Sequence, residues 1–127
     1  MDLAQYVPKN KFDTSAVAAA ERVGLPALDS VLPQLLEWLQ DYNWPVAQPV
    51  ANLLSGAGLE IVPHIQNVLN SNDTMWKYWL LSALIPRLGL EVREALRPQI
   101  RRLAQNPTKD EQLEEVDARA KDLLENG

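Results

Sequence analysis

The spacing of apolar residues is the feature that most constrains the fold of this chain. Apolar side chains recur every three or four residues along most of its length, as they do on one face of an α-helix. Runs in which apolar and polar residues alternate, as in a half-buried strand, are nearly absent. The pattern therefore predicts an all-α protein with about seven helices.

Start and stop residues place these helices along the sequence. Asp13, Asn43 and Asp73 each precede a predicted helix and carry side chains that accept hydrogen bonds from a first turn. Thr108 and Glu111 have the spacing of a capping box at the start of the seventh helix. The predicted helices span residues 14–23, 26–40, 44–55, 59–69, 74–85, 91–104 and 108–127.

A short motif recurs in the second, fourth and sixth helices. Pro33, Pro63 and Pro98 are each followed by a polar residue and then Leu or Ile, at spacings of 30 and 35 residues. Helical-hairpin solenoids have similar periods. Each proline removes a backbone donor, so we expect a bend inside each helix. The repeat predicts one domain, a short right-handed α-solenoid of HEAT-like hairpins over residues 1–127, with an N-terminal extension at 1–12 and a capping helix at 108–127.

Composition excludes several kinds of chemistry. The 127 residues include no Cys and one His, which rules out disulfides, thiolate nucleophiles and zinc–thiolate sites. His64 stands where the other two copies of the motif have Gln, so we expect a polar, partly exposed side chain and not a metal ligand. We therefore predict no catalytic residue, no metal and no cofactor.

Charge and hydropathy restrict the partners and the compartment. A net charge of -5 opposes non-specific binding to nucleic acid, which depends on Lys and Arg at phosphates. No apolar stretch reaches the length of a membrane span. The first residues lack the basic and apolar regions of a secretory signal peptide. These features favour a cytoplasmic protein that binds neither nucleic acid nor membranes.

Four segments carry a resemblance to a known family. They are Val7–Asp13, Leu35–Asp41, Asn43–Ala51 and Trp76–Trp79. Together they resemble a small bacterial family, the domain of unknown function DUF5071. The resemblance implies a HEAT-like helical fold and a cytoplasmic bacterial origin, and it implies no catalytic residues.

Two tryptophans stand at matching places after successive repeats. Trp44 and Trp76 each lie in the first turn of a predicted helix, where each is expected to fill the gap between neighbouring hairpins. The alternative is a protein-interaction ridge, because interfaces are enriched in aromatic residues beside polar groups. The ridge would comprise Asp41, Asn43, Trp44, Asp73, Trp76 and Lys77.

A basic stripe is predicted on the sixth helix. Arg93, Arg97 and Arg101 lie four residues apart and therefore on one side of that helix. The default interpretation is a solvated face that pairs with Glu94 and with carboxylates of the seventh helix, which we expect to be exposed to water. The alternative is a docking stripe for an acidic partner or a phosphate.

The leading functional hypothesis is a non-enzymatic protein-binding module, in one version an inhibitor or immunity-type partner. Its surface would come from equivalent helices of successive repeats, and the residues expected there are Gln34, Glu37, Asp41, His64, Asn67, Arg97 and Arg101. One alternative is a DNA glycosylase-like HEAT protein in which Asp73 and Trp76 form an aromatic cleft. Another is a structural protein that self-associates. We expect an unidentified protein partner and a monomer or a weak homodimer.

Overall fold

The computed structural model describes residues 3–126, and this range contains helical segments and no strand. The predicted all-α class is therefore confirmed. Residues 1–2 and 127, at the two ends of the predicted domain, lie outside the described residues. The α-helices are α1 (Thr14–Val23), α2 (Leu32–Leu36), α3 (Ala47–Leu54), α4 (Val62–Leu69), α5 (Thr74–Trp79), α6 (Leu90–Gln105), α7 (Lys109–Leu113) and α8 (Val116–Asn126).

Tighter and wider helical turns join these α-helices. The 3₁₀ turns are Leu3–Tyr6, Leu25–Val31, Glu37–Leu39, Leu59–Ile61 and Ile85–Arg87, and Leu80–Leu84 forms a π-helical turn. The second predicted helix is thus α2 between two 3₁₀ turns, and the fifth is α5 followed by the π turn and a 3₁₀ turn. Apolar spacing places five leucines on one face of the second predicted helix, and all five are buried: Leu28, Leu32, Leu35, Leu36 and Leu39.

Three of the predicted helix starts are confirmed. Asp13 accepts from the N–H of Ala16, Asp73 accepts from the N–H of Trp76, and the capping box of Thr108 is formed. The start predicted at Asn43 is wrong, because α3 begins only at Ala47. Pro45 disfavours helical backbone at the residue before it, and the chain makes a turn there instead, with Asp41 accepting from the N–H of Asn43.

The repeated prolines start two helices and do not bend them. Pro33 is the second residue of α2 and Pro63 the second residue of α4, so the expected internal bends are wrong at these two positions. Without a proline N–H the α-helical ladder cannot extend further back. The preceding N–H makes a 3₁₀ bond in each case, from Leu32 to the Asp29 carbonyl and from Val62 to the Leu59 carbonyl. Pro98 does lie inside α6.

The seventh predicted helix divides into α7 and α8 at Glu115. This residue has a φ of 61°, in the left-handed region that ends a helix. Because the helix is interrupted there, the helical spacing does not continue from Leu113 to the residues of α8. Apolar spacing places Leu113, Val116 and Ala120 inward on the seventh predicted helix. Val116 and Ala120 are buried, but Leu113 is 70% exposed.

Alternate helices contact one another and enclose the core. Contacts join α2 to α4, α4 to α6 and α6 to α8. Further contacts join α1 to α3, and α3 to the π turn. Aliphatic side chains from these elements form one buried cluster. No helix in residues 3–126 is both long enough and apolar enough to cross a membrane.

Candidate functional site

A groove of about 170 Å³ lies between α2 and α4 and is closed at one end by α5. Most of its exposed wall is apolar, and its polar groups stand at the rim. An engineered apolar cavity of about 150 Å³ holds one benzene molecule, so this groove has room for one apolar or aromatic side chain. The lining residues are Pro33, Leu36, Glu37, His64, Asn67, Val68, Ser71 and Trp76.

Trp76 forms a fixed apolar wall of this groove. Asp73 caps α5 through the N–H of Trp76, at 3.1 Å from Oδ1 to N. The indole Nε1 of Trp76 donates to the Leu36 carbonyl, also at 3.1 Å. Because both the backbone and the ring are hydrogen-bonded, the indole keeps its position with no ligand present.

The rim provides hydrogen-bonding groups of more than one kind. Glu37 and Asn67 are exposed, and His64 is half-buried, as its equivalence to glutamine in the other repeats predicts. These three residues belong to the surface expected from successive repeats, and the groove brings them together. A carboxylate, an amide and an imidazole can fix the polar atoms of a ligand whose apolar part contacts Trp76.

A buried ion cluster is hydrogen-bonded to one edge of the groove. Lys77 and Glu111 are 3% and 1% exposed, and their charged atoms are 2.7 Å apart. Arg102 donates to both carboxylate oxygens of Glu111, at 2.7 and 3.0 Å. Lys77 also donates to the Ser71 carbonyl at 2.7 Å. Since Ser71 lines the groove, Lys77 links the groove edge to Glu111 of α7.

The same cluster keeps Glu111 ionised. Burial opposes ionisation and by itself raises the pKa of the carboxyl group. Hydrogen bonds from Arg102, from Lys77 and from the N–H of Thr108 outweigh burial and lower the pKa of Glu111 to about 2. At neutral pH the cluster therefore contains one carboxylate between two cations.

The structure differs from the predicted ridge at Lys77, the basic residue of that set. Lys77 was expected on the surface, but it is buried because it neutralises the Glu111 carboxylate. Asn43 and Asp73 are exposed, and Asp41 and the two tryptophans are half-buried. Trp44 makes an edge-on contact with Trp38, with ring centroids 5.6 Å apart. Trp76 is hydrogen-bonded to α2 through its ring N–H.

The three arginines of the basic stripe have different surroundings. Arg97 pairs with Glu94 at 3.3 Å, as predicted for a solvated face. Arg101 is exposed, and Arg93 is half-buried beside α8. The predicted pairing with a carboxylate of the seventh helix occurs at Arg102, outside the stripe.

In the described part of the chain, metal-ligating residues are not clustered, and the hydroxyl in the groove lining is already hydrogen-bonded. In residues 3–126, no group of three or more His, Cys, Asp or Glu residues is placed to hold a metal ion. The hydroxyl of Ser71, which lines the groove, donates to the Val68 carbonyl at 2.6 Å.

Sequence reasoning missed the ion cluster because its members are far apart in the chain. Glu111 was expected to be exposed to water, and its burial depends on Lys77, 34 residues earlier. The capping box was the available signal: it places the glutamate side chain against the helix start, where its carboxylate is shielded from water. No local pattern indicated that Lys77 lies opposite.

Together these features define an all-helical protein with a preformed, largely apolar groove between two of its helices. The family model of the domain of unknown function DUF5071 matches residues 6–124. The chain belongs to this family, as the resemblance of its tryptophan-containing segments implies. No curated protein matches the chain.

Proposed function

We propose that the protein is a non-enzymatic, cytoplasmic protein-binding module that receives a short segment of a partner protein in the groove between α2 and α4. The observation that carries the proposal is the fixed indole of Trp76 at the end of an otherwise apolar groove with a polar rim. Interfaces use such pockets to hold one aromatic or aliphatic side chain of the partner. An inhibitor or immunity-type role is one form that such a module takes.

Charge identifies the chemistry of the partner segment. Residues 1–60, which include α2, carry three Lys or Arg and seven Asp or Glu residues. Glu37 adds a carboxylate to the groove itself. A segment with an apolar side chain next to Lys or Arg would complement both the groove and its surroundings, and opposite charge would accelerate its association.

The order of helix contacts supports the predicted solenoid as the scaffold for this surface. Contacts of α2 with α4, of α4 with α6 and of α1 with α3 are those expected for stacked hairpins. In a solenoid, a groove between equivalent helices of adjacent repeats is an ordinary place for a peptide ligand.

The glycosylase-like alternative receives little support from the site. It requires Asp73 to face a ligand beside Trp76, but the carboxylate of Asp73 caps α5 by accepting a hydrogen bond from the N–H of Trp76.

A self-associating structural protein is the other alternative. It is distinguished from a binding module by its mass in solution, which would increase with protein concentration.

A displayed library of random peptides tests the proposed groove. We expect selection on the wild-type protein to enrich peptides that combine an aromatic or aliphatic residue with Lys or Arg. Glu37→Arg reverses the charge at the groove and should lower the affinity of these peptides for the protein at least tenfold. Glu21→Arg makes the same charge change at an exposed position of α1 and should change their affinity less than twofold.

Two outcomes would contradict the proposal. One is a selection that enriches no peptide class. The other is an equal loss of affinity in the Glu37→Arg and Glu21→Arg variants, which would show that net charge alone determines binding.

A further inference from the structure

A second cavity, of about 340 Å³, lies between the π turn, the start of α6 and the middle of α8. It shares no lining residue with the groove between α2 and α4. Its volume falls in the range of small-molecule sites and exceeds what a lone inorganic anion occupies. The lining residues are Leu81, Ser82, Pro86, Arg93, Arg119, Asp122 and Leu123.

Two hydrogen-bonding atoms at this cavity are buried without a partner in the described part of the chain. They are the hydroxyl oxygen of Ser82 and the Nε of Arg119. A buried donor without an acceptor lowers the stability of the folded state. A ligand that supplies acceptor oxygens to both atoms would remove this cost.

The helix geometry at Ser82 provides an independent indication of a site. Ser82 lies in the middle of the π turn, and such turns inside α-helices occur frequently at functional sites. Pro86, four residues later, has no N–H and therefore cannot donate to the Ser82 carbonyl. The α-helical hydrogen bonding is therefore interrupted at the residue whose hydroxyl has no partner among the described residues.

The position of Arg119 suits the recognition of an anion. Its guanidinium lies over the ring of Tyr78, at 5.6 Å from the centroid, which restricts its movement. The Nη1 atom reaches Asp122 only at 3.5 Å, a long contact between half-exposed groups. Arg93 also lines the cavity, so two guanidinium groups and one carboxylate belong to its lining.

We propose that this cavity binds a small organic anion. Its carboxylate or phosphate group would accept hydrogen bonds from Arg119 and Ser82 near the charge of Arg93, because guanidinium pairs with planar or multi-oxygen anions in a two-point geometry. Its apolar part would lie against Leu81 and Leu123. This site is separate from the proposed protein-binding groove.

Calorimetric titration with three related probes tests the proposal. Phenyl phosphate and phenylacetate present the two anionic groups on an aromatic body, and 2-phenylethanol is the neutral control. We expect saturable binding of at least one anion and none of the alcohol, and the comparison of the two anions identifies the preferred group.

Variants assign the binding to this cavity. Arg119→Gln and Ser82→Ala should each lower the affinity of the anion at least fivefold. Arg101→Gln, at an exposed position of α6, is the control and should change this affinity less than twofold. Because Arg119 also contacts Tyr78, Ser82→Ala is the variant that tests the site with the smallest effect on packing. Absence of saturable anion binding, equal binding of the alcohol, or equal weakening by Arg101→Gln would overturn the proposal.

Discussion

At the scale of single residues, the buried carboxylate of Glu111 connects more of the structure than any local motif indicates. It caps α7, neutralises Lys77 and binds Arg102 through both oxygens. Removing one member of such a buried set leaves an uncompensated charge, which is more costly than the loss of an exposed ion pair. Glu111 is therefore the residue at which a conservative substitution should have the largest effect.

The first prediction concerns Glu111→Gln. At neutral pH we expect this change to lower the free energy of unfolding by about 3–5 kcal/mol, because Lys77 and Arg102 lose their carboxylate. The wild-type carboxyl has its pKa lowered to about 2 by the fold. Its contribution to stability is thus complete above the unfolded pKa and disappears as the pH falls from about 5 to about 2.

Urea unfolding followed by tryptophan fluorescence measures this effect. The difference in stability between the wild type and Glu111→Gln should narrow with decreasing pH, because a protonated glutamic acid resembles glutamine. Glu114→Gln, at an exposed position beyond α7, should change the stability by less than about 0.5 kcal/mol. A difference between the wild type and Glu111→Gln that does not depend on pH would contradict the role of the ionised carboxylate.

At the scale of elements, the helix types explain which sequence predictions succeed. Apolar spacing depends on which side chains face the core, so the buried leucines of the second predicted helix are identified correctly. The same spacing does not distinguish α from 3₁₀ or π turns, because each can keep a leucine inward over one or two turns. In the sequence, Pro33 and Pro63 lie inside predicted helices and therefore indicate bends. In the structure a 3₁₀ bond precedes each of them, and each proline lies at the start of an α-helix.

The second prediction concerns the break between α7 and α8. Glu115 has a φ of 61°, a backbone conformation that costs an ordinary residue about 1–2 kcal/mol relative to glycine. We expect Glu115→Gly to raise the free energy of unfolding by roughly 1 kcal/mol, since the exposed side chain makes little contact with the core. Thermal unfolding monitored by circular dichroism provides the measurement.

Glu114→Gly is the matched control for this substitution. Residue 114 has a φ of −95°, so glycine gains no conformational advantage there and should lower the stability slightly. Equal shifts of the two variants, or a lower melting temperature for Glu115→Gly, would contradict the account of the break.

At the scale of the whole molecule, the candidate site is partly visible in the sequence. The repeat places Glu37, His64 and Asn67 on equivalent helices, and the structure brings them to one groove. The residues that fix this groove were not predicted in that role. The bond from Trp76 to the Leu36 carbonyl joins positions 40 residues apart, and the contact of Lys77 with Glu111 joins positions 34 apart. Such contacts depend on the path of the whole chain, which local spacing does not describe.

Charge at this scale has a consequence for recognition. The segments 1–60 and 108–127 are acidic, and residues 61–107 carry six Lys or Arg against three Asp or Glu residues. The groove lies between α2 of the acidic segment and α4 of the basic one. A partner segment is therefore expected to direct its Lys or Arg residues toward the α2 side.

Site-directed photo-crosslinking tests the central claim, that the groove is where a partner binds. A benzophenone amino acid would replace Asn67, which lines the groove and is exposed, and in a second variant Glu21 on α1, which is equally exposed and lies outside it. Irradiation in the cells that make the protein should produce an adduct with one partner at position 67 and none at position 21. The crosslinked peptide should contain an apolar residue beside Lys or Arg. The same adducts at both positions, or no adduct at position 67, would contradict the account.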